Sequence, residues 1–198
     1  MEFQEVLRRR RMTRAFRPDP IPSEVVDRIL ANALHAPSAG FSQGWAFVVL
    51  DDRAAVDRFW DRVRPDWREQ HQPPSTYDAP VVILPLAHKQ AYLDRYSMPD
   101  KAAFGMGVEE GWPVPYWDID TAFASMLMLL TAEDASLGAL FTGIFNGEAE
   151  LLADLGVPAG YRPIGAILLG YRDEGDRSTP SLKTGRRPSD EVVHRNRW

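Results

Sequence analysis

Apolar positions recur along this chain at two periods, and the switches between them mark out its elements. Phe3, Val6 and Leu7 share one side of a short helix over Glu2–Arg11. The run Arg17-Pro18-Asp19-Pro20-Ile21-Pro22 cannot continue it, because each proline fixes φ and lacks an amide proton. Ser23 is suited to cap a second helix, where Val25, Val26, Ile29, Leu30, Ala33 and Leu34 repeat about every 3.6 residues. That helix stops at Ala36, before Pro37, and a loop over Pro37–Gly40 leads to a strand at Trp45–Leu50. Asp52 caps the next helix, which reaches Val63. Residues 64–79 hold three prolines and mostly polar side chains, and read as loop. Val81–Leu86 is a continuous apolar run of strand length, as expected of a strand buried on both faces. A long helix follows over Asp118–Leu137, closed by Gly138. A strand at Ala139–Ile144, a capped helix at Asn146–Leu155 and a last apolar strand at Ile164–Tyr171 complete the pattern.

One stretch resists this reading. Residues 87–117 are broken by Gly105, Gly107, Gly111, Pro113 and Pro115, yet carry Phe104, Trp112, Tyr116 and Trp117. A loop of that length usually has a function, such as a lid. Trp112, Tyr116 and Trp117 could stack on a flat ligand or anchor the loop in a core, and both readings stay open. Strands alternating with helices predict an α/β (α+β) sandwich, a central mixed sheet flanked by helices, in one domain spanning 1–198. Two features predict a homodimer. The 118–137 helix is apolar nearly all round, through Ile119, Ala122, Phe123, Ala124 and Met126 to Leu130, so it needs cover on most sides. The tail, 172–198, has too few apolar groups for a core of its own, as expected of an arm exchanged onto a partner subunit. The alternative is a monomer with an unattached tail.

Composition narrows the chemistry. The chain has 198 residues, 44% hydrophobic and 26% charged, and no apolar run long enough for a membrane span. Its opening residues lack a secretory pattern, so a cytoplasmic location is expected. It has no cysteine, which excludes disulfides, thiolate metal sites and a cysteine nucleophile. The four histidines show no metal spacing, and no metal site is expected. A net charge of -5 argues against nucleic-acid binding. Against that acidity, six arginines (Arg8, Arg9, Arg10, Arg11, Arg14 and Arg17) crowd the first 17 residues, and Lys183, Arg186 and Arg187 form a second knot. Concentrated cations on an acidic protein point to a local anion site.

Three motifs then stand in order. They are Arg10-Arg11-Met12-Thr13-Arg14-Ala15-Phe16; Ala36-Pro37-Ser38-Ala39-Gly40-Phe41-Ser42-Gln43-Gly44-Trp45; and Pro163-Ile164-Gly165-Ala166-Ile167-Leu168-Leu169-Gly170-Tyr171 with Gly185-Arg186-Arg187-Pro188. Together they resemble the nitroreductase family over essentially the whole chain. The resemblance implies FMN at a dimer interface, two sites per dimer, and NAD(P)H as reductant. By the same resemblance Arg10 and Arg187, with Arg11, Met12 and Arg186 beside them, belong to the phosphate end of the cofactor site, and Arg14 to the pyrimidine edge of the flavin. Guanidinium forks suit a phosphate dianion, and a cation near the pyrimidine favours the reduced, anionic ring. Arg8 and Arg9 read instead as a solvated charged face. Pro37, Ser38, Ala39, Gly40, Phe41 and Gln43 resemble the segment that approaches the flavin, commonly from the partner subunit. Thr142 and Gly143 stand where the family presents a backbone amide to the flavin, Gly143 nearest the chemistry; a strand-end bulge is the plainer reading of that glycine.

The expected reaction is ping-pong reduction of a nitroaromatic, quinone or similar flat acceptor, with Phe41, Trp112, Tyr116 and Trp117 as candidate substrate contacts. Two departures bear on it. Met12 replaces the family's usual serine, and Phe41 its usual asparagine. The Gly40-Phe41 variant resembles the flavin-destructase branch, which uses oxygen on reduced FMN, and this is the first alternative. A flavin- or nucleic-acid-binding module without turnover is the second.

Overall fold

In the computed structural model, which describes residues 1–177, 182 and 184–198, the chain opens with α1 (Phe3–Arg9) and, past the prolines, α2 (Ser23–Ala33). A 3₁₀ turn at Ala39–Phe41 leads into β1 (Trp45–Leu50), α3 (Arg53–Val63) and the single turn α4 (Trp67–Gln70). Then come β2 (Val81–His88), α5 (Lys89–Tyr96) and α6 (Tyr116–Asp134). The chain continues through β3 (Gly138–Thr142), α7 (Glu148–Asp154), β4 (Tyr161–Pro163), β5 (Ala166–Gly170) and, in the tail, α8 (Ser189–Val192). Lys183 and residues 178–181 of the tail lie outside the described residues.

The strands form one sheet in the order β1-β2-β5-β3, with β4 also beside β2. Every named pair is antiparallel. The sheet expected to be mixed is therefore antiparallel, and its parallel component is a single bridge from Met12 to Ala139. Proline inside a central strand normally costs a ladder bond, and Pro85 shows how β2 avoids that cost. On one side of β2 the partner is β5 as far as Ile83 and β4 from Leu86 onward, so Pro85 stands where the partner changes and no donor is required.

Strand alternation sends side chains to two layers. Val82, Leu84 and Leu86 of β2 join Leu140, Leu168, Val56, Phe59, Trp60 and Leu151 on the side of α3 and α7. Val81, Ile83, Ile167 and Leu169 join Ile29, Ala33, Ala124, Met128 and Leu129 on the side of α2 and α6. Helices thus cover both faces, as expected. α6 is different from its prediction. One side is buried, but Phe123 and Met126 on the other remain exposed.

Several boundaries differ for local reasons. Pro22, not Ser23, occupies the first cap of α2, and Ser23 is already helical. α6 ends at Asp134, four residues before the expected glycine: Ser136 takes the left-handed φ of +60°, and Leu137 N–H reaches back to Ala132 O at 2.8 Å. Gly138 instead opens β3 against Thr13, where an added Cβ would overlap the threonine side chain. α7 begins at Glu148 with Gly147 as its cap, φ +66°, rather than at Asn146. Asp52 does cap α3, accepting from Ala55 N–H at 2.7 Å. The stretch expected as loop at 64–79 contains α4, pinned by the buried Trp67. Residues 87–117 are not structureless either. α5 and two 3₁₀ turns fold around Tyr92, Trp112 and Trp117, and Trp112 Nε1 donates to Met106 O at 2.7 Å.

Candidate functional site

α1 stops at Arg9, and the backbone of Arg10 leaves the helical region (φ -56°, ψ 124°). Met12 then bridges to β3 and Thr13 N–H donates to Ala139 O at 2.9 Å, so the first motif runs along the free edge of β3. Each side chain of that motif has a distinct fate. Met12 turns inward, packs into both cores and takes the Phe141 N–H on its sulfur at 3.4 Å. Thr13 is buried and accepts from Arg172 Nε at 3.1 Å. Arg11 pairs with the buried carboxylate of Asp176, which also accepts the backbone N–H groups of Arg14 (2.8 Å) and Ala15 (3.2 Å). Arg9, expected to be a solvated charge, reaches the buried Glu133 at 3.3 Å, and Glu133 also pairs with Arg172. Arg8 stays on the surface beside Glu5.

Two arginines are left over. Arg10 makes no ion pair among the described residues, and its Nη1 is shielded from solvent without a hydrogen-bond partner. The Arg14 side chain is exposed, and among the described residues its guanidinium makes only a 3.5 Å contact, to Met12 O. It lines a cavity of about 290 Å³ together with Thr142, Gly143, Trp60, Tyr77 and Phe145. Arg14, Thr142 and Gly143, far apart in the chain, thus meet at one place. Gly143 follows the last strand pair, Thr142–Ala166, and an added Cβ would overlap the Phe145 ring at 2.7 Å. Among the described residues no carboxylate lines this cavity.

The second motif is built elsewhere in the chain. Ser38 Oγ accepts Gln43 N–H at 3.0 Å, and the Ser42 hydroxyl donates to Ala39 O at 2.6 Å. Gly40, Phe41 and Gln43 all take positive φ, which leaves Phe41 74% exposed at the tip. The loop is clamped from two helices. Ala39 N–H donates to Asp120 Oδ2 of α6 at 2.8 Å, Tyr92 O–H of α5 donates to the same oxygen at 2.9 Å, and Arg95 Nε donates to Gly40 O at 2.9 Å. Burial pushes the Asp120 carboxyl above its usual range, against the opposing pull of those two hydrogen bonds. Burial, then the neighbouring Asp120, push the Tyr92 phenol up as well. None of Pro37, Ser38, Ala39, Gly40, Phe41 and Gln43 lines the Arg14 cavity.

Trp112 and Trp117 are buried against Tyr92, with Tyr96 and Tyr116 alongside. Trp112 and Trp117 pack inside the chain, as an anchor would, Trp117 also lines a cleft with Lys89 and Arg162, and none of Trp112, Tyr116 and Trp117 lines the Arg14 cavity. Arg186 and Arg187 are exposed in the tail, where Arg187 pairs with Glu191 at 3.3 Å. Sequence reasoning passed over Asp176, Glu133, Asp120, Trp60 and Phe145. A signal existed for Asp120 and Glu133, since a carboxylate within an apolar helix must find a partner. Nothing local distinguishes the others.

The site therefore combines a cavity with aromatic walls, a glycine-exposed strand end, and arginines at its rim. Residues 7–171 match the model of the nitroreductase family, and the chain belongs to that family, a family of oxidoreductases. A protein of Methanothermobacter thermautotrophicus, provisionally named NADH dehydrogenase/NAD(P)H nitroreductase, is 26% identical over 202 residues, covering 100% of this chain and 88% of its own. Iodotyrosine deiodinase 1 of Rattus norvegicus is 26% identical over 216 residues, covering 97% and 68% respectively. Among solved structures, a Staphylococcus epidermidis protein provisionally named NAD(P)H:FMN oxidoreductase superposes with a TM-score of 0.71 at 21% identity, covering 98% of this chain and 95% of its own.

Proposed function

We propose that this protein is an FMN-dependent oxidoreductase that uses NAD(P)H to reduce a flat, oxidised acceptor such as a nitroaromatic or quinone, working as a homodimer. The observation that carries the reading is the shielded Nη1 of Arg10, without a partner among the described residues, on the same extended segment as Arg14, which reaches the strand end at Thr142 and Gly143. A buried donor without an acceptor is a cost unless a ligand supplies one. A phosphate would.

In this reading Arg10 takes the phosphate, with Arg186 and Arg187 of the tail approaching it in the assembled dimer. Arg14 sets a positive charge against the pyrimidine edge, and the absence of a side chain at Gly143 leaves its backbone open to the ring. Bound FMN would supply the redox chemistry, accepting a hydride from the nicotinamide and passing an electron pair to the acceptor. Arg11 and Met12 act indirectly, Arg11 through Asp176 and Met12 by packing the segment onto β3. The partner subunit's copy of the 37–43 loop would close the site, its exposed Phe41 lying toward reductant and acceptor. One pocket serving both partners makes the kinetics ping-pong.

The exposed side of α6 supports the dimer: Phe123 and Met126, with Leu127 and Leu130 half-buried and Phe3 and Leu7 of α1 also exposed, are an apolar surface that water should not keep.

The test is the visible spectrum of the purified protein, with anaerobic addition of NADH or NADPH. A flavin spectrum that bleaches with either supports the reading, and Arg10→Gln should then weaken FMN binding by roughly tenfold or more. A bound flavin that neither nucleotide bleaches would overturn the reductase and favour the oxygen-dependent chemistry suggested by Gly40-Phe41, checked by looking for flavin cleavage in air. No flavin after reconstitution, with salt-sensitive nucleic-acid affinity instead, would favour a binding module.

A further inference from the structure

The first motif changes partner between Thr13 and Phe16. Thr13 N–H donates to Ala139 O of β3, whereas Phe16 bridges to Arg172 in antiparallel register and Arg17 N–H donates to Tyr171 O. Arg14 and Ala15 lie at the junction, and their backbone N–H groups both donate to Asp176 Oδ1, at 2.8 and 3.2 Å. Successive amides of an extended strand point to opposite edges, so two that converge on one oxygen mark a kink at Arg14. A bulge of this kind re-aims the side chain it carries. Here that side chain is the arginine that reaches the cavity with Thr142 and Gly143.

The carboxylate at the kink is itself fixed. Residues 173–176 form a tight turn, in which Gly175 N–H donates to Asp173 Oδ1 at 2.6 Å and Asp176 N–H to Asp173 O at 3.0 Å. Asp173 N–H in turn donates to Ala15 O at 3.1 Å, tying the turn to the arginine segment. A Cβ at Gly175 would overlap Pro74 at 2.8 Å, so Pro74 backs the turn from the other side. The Asp176 side chain is 1% exposed, and its second oxygen pairs with Arg11. Arg11 thus balances the buried charge, and the charge of Arg14, which makes no ion pair among the described residues, is left for the cavity.

With FMN in that cavity, the reading on which this role rests, we propose that Asp176 is a positioning residue for the cofactor. Through two backbone amides it sets Arg14 against the pyrimidine edge, and through that arginine it favours the reduced, anionic ring over the oxidised one.

The test is the two-electron midpoint potential of the FMN-loaded protein, compared with those of Arg14→Gln, Asp176→Ala and the double variant. Losing the held cation should weaken the binding of reduced FMN relative to oxidised FMN by roughly tenfold, which lowers the potential by about 30 mV. Both single variants should show this shift. The double variant should show no more than either alone, because each removes the same interaction. A carboxylate that only fastens the fold would lower the melting temperature and leave the potential where it was. Asp176→Asn separates position from charge: its amide oxygen still accepts both N–H groups, so the potential should not fall. Asp176→Glu keeps the charge and displaces the anchor by one methylene, so the potential should fall, and this variant replaces Asp176→Ala if the latter does not fold. Three outcomes overturn the proposal: an unchanged potential in Asp176→Ala or Asp176→Glu, shifts that add in the double variant, or an Asp176→Asn protein shifted as far down as Arg14→Gln. A wild-type protein that takes up no FMN would sink the flavin reading and this role together, whereas FMN uptake with any of those three outcomes sinks this role alone.

Discussion

Three buried carboxylates organise the loops of this protein, each through a different kind of partner. Asp176 gathers Arg11 and two backbone amides of the first motif, Glu133 takes Arg9 and Arg172, and Asp120 holds the Ala39 amide and the Tyr92 hydroxyl. The first two have cations beside them; Asp120 has only neutral donors, and burial raises its carboxyl. In the folded state Asp120 therefore still holds a proton at pH values where the unfolded chain has released it. Its contribution to stability is lost as pH rises from the ordinary carboxylate value, about 3.9, through its own raised value. Asp120→Asn keeps an acceptor for both donors and removes the titration. Thermal melts across pH should show a flatter decline over that window than the wild-type protein. Asp120→Ala leaves both donors unsatisfied and should lower Tm by about 4–8 °C at neutral pH. Should Asp120→Asn melt with an unchanged pH profile, the carboxyl is not titrating there. The sequence showed the arginine cluster, but it could not say which arginine would be spent on structure. That depended on Asp176, more than 160 residues away along the chain.

Elements were legible where side-chain period alone defines them. β1 ends on the expected residues, and α3 starts from the expected cap. Their ends elsewhere depended on backbone conformations that composition only suggests. Ser136 closes α6 in the left-handed region although a glycine stands two residues on, because Gly138 is needed where Thr13 crosses β3. Ser136→Gly should therefore stabilise the protein, by about 0.5–1 kcal/mol in urea unfolding. Gly147→Ala should act the other way. Its φ of +66° disfavours a side chain, and an added Cβ would overlap the Arg62 carbonyl oxygen, so a loss of about 2 kcal/mol or more is expected. If the two variants unfold at the same urea concentration as the wild-type chain, backbone strain does not set these boundaries.

At the scale of the whole molecule, the helix predicted to need cover on most sides has it on one. Exposed Phe123 and Met126 on α6, together with exposed Phe3 on α1, account for the dimer proposed above. Phe123→Glu should shift sedimentation to the monomer, raising the dimer dissociation constant by roughly 30-fold for a central apolar anchor. FMN content should fall with it, because the 37–43 loop would be withdrawn from the neighbouring site. A Phe123→Glu protein that stays dimeric would place the interface elsewhere.

The sequence by itself determined the layered α+β arrangement, the order of α1–α3, β1, β2, α6, β3, α7 and β5, the cation-rich opening segment and, through three motifs, the family resemblance. Each of these follows from local period or from residue types close together in the chain. Only the tertiary structure decided that the sheet is antiparallel, that Trp112 and Trp117 pack against Tyr92, and that Arg10 and Arg14 of the opening cluster make no ion pair among the described residues. It alone brought Trp60, Arg64 and Phe145 to the strand end at Gly143. Those outcomes depend on which distant groups meet. A buried charge or donor is satisfied by whatever the fold carries to it, and local sequence holds no record of that partner.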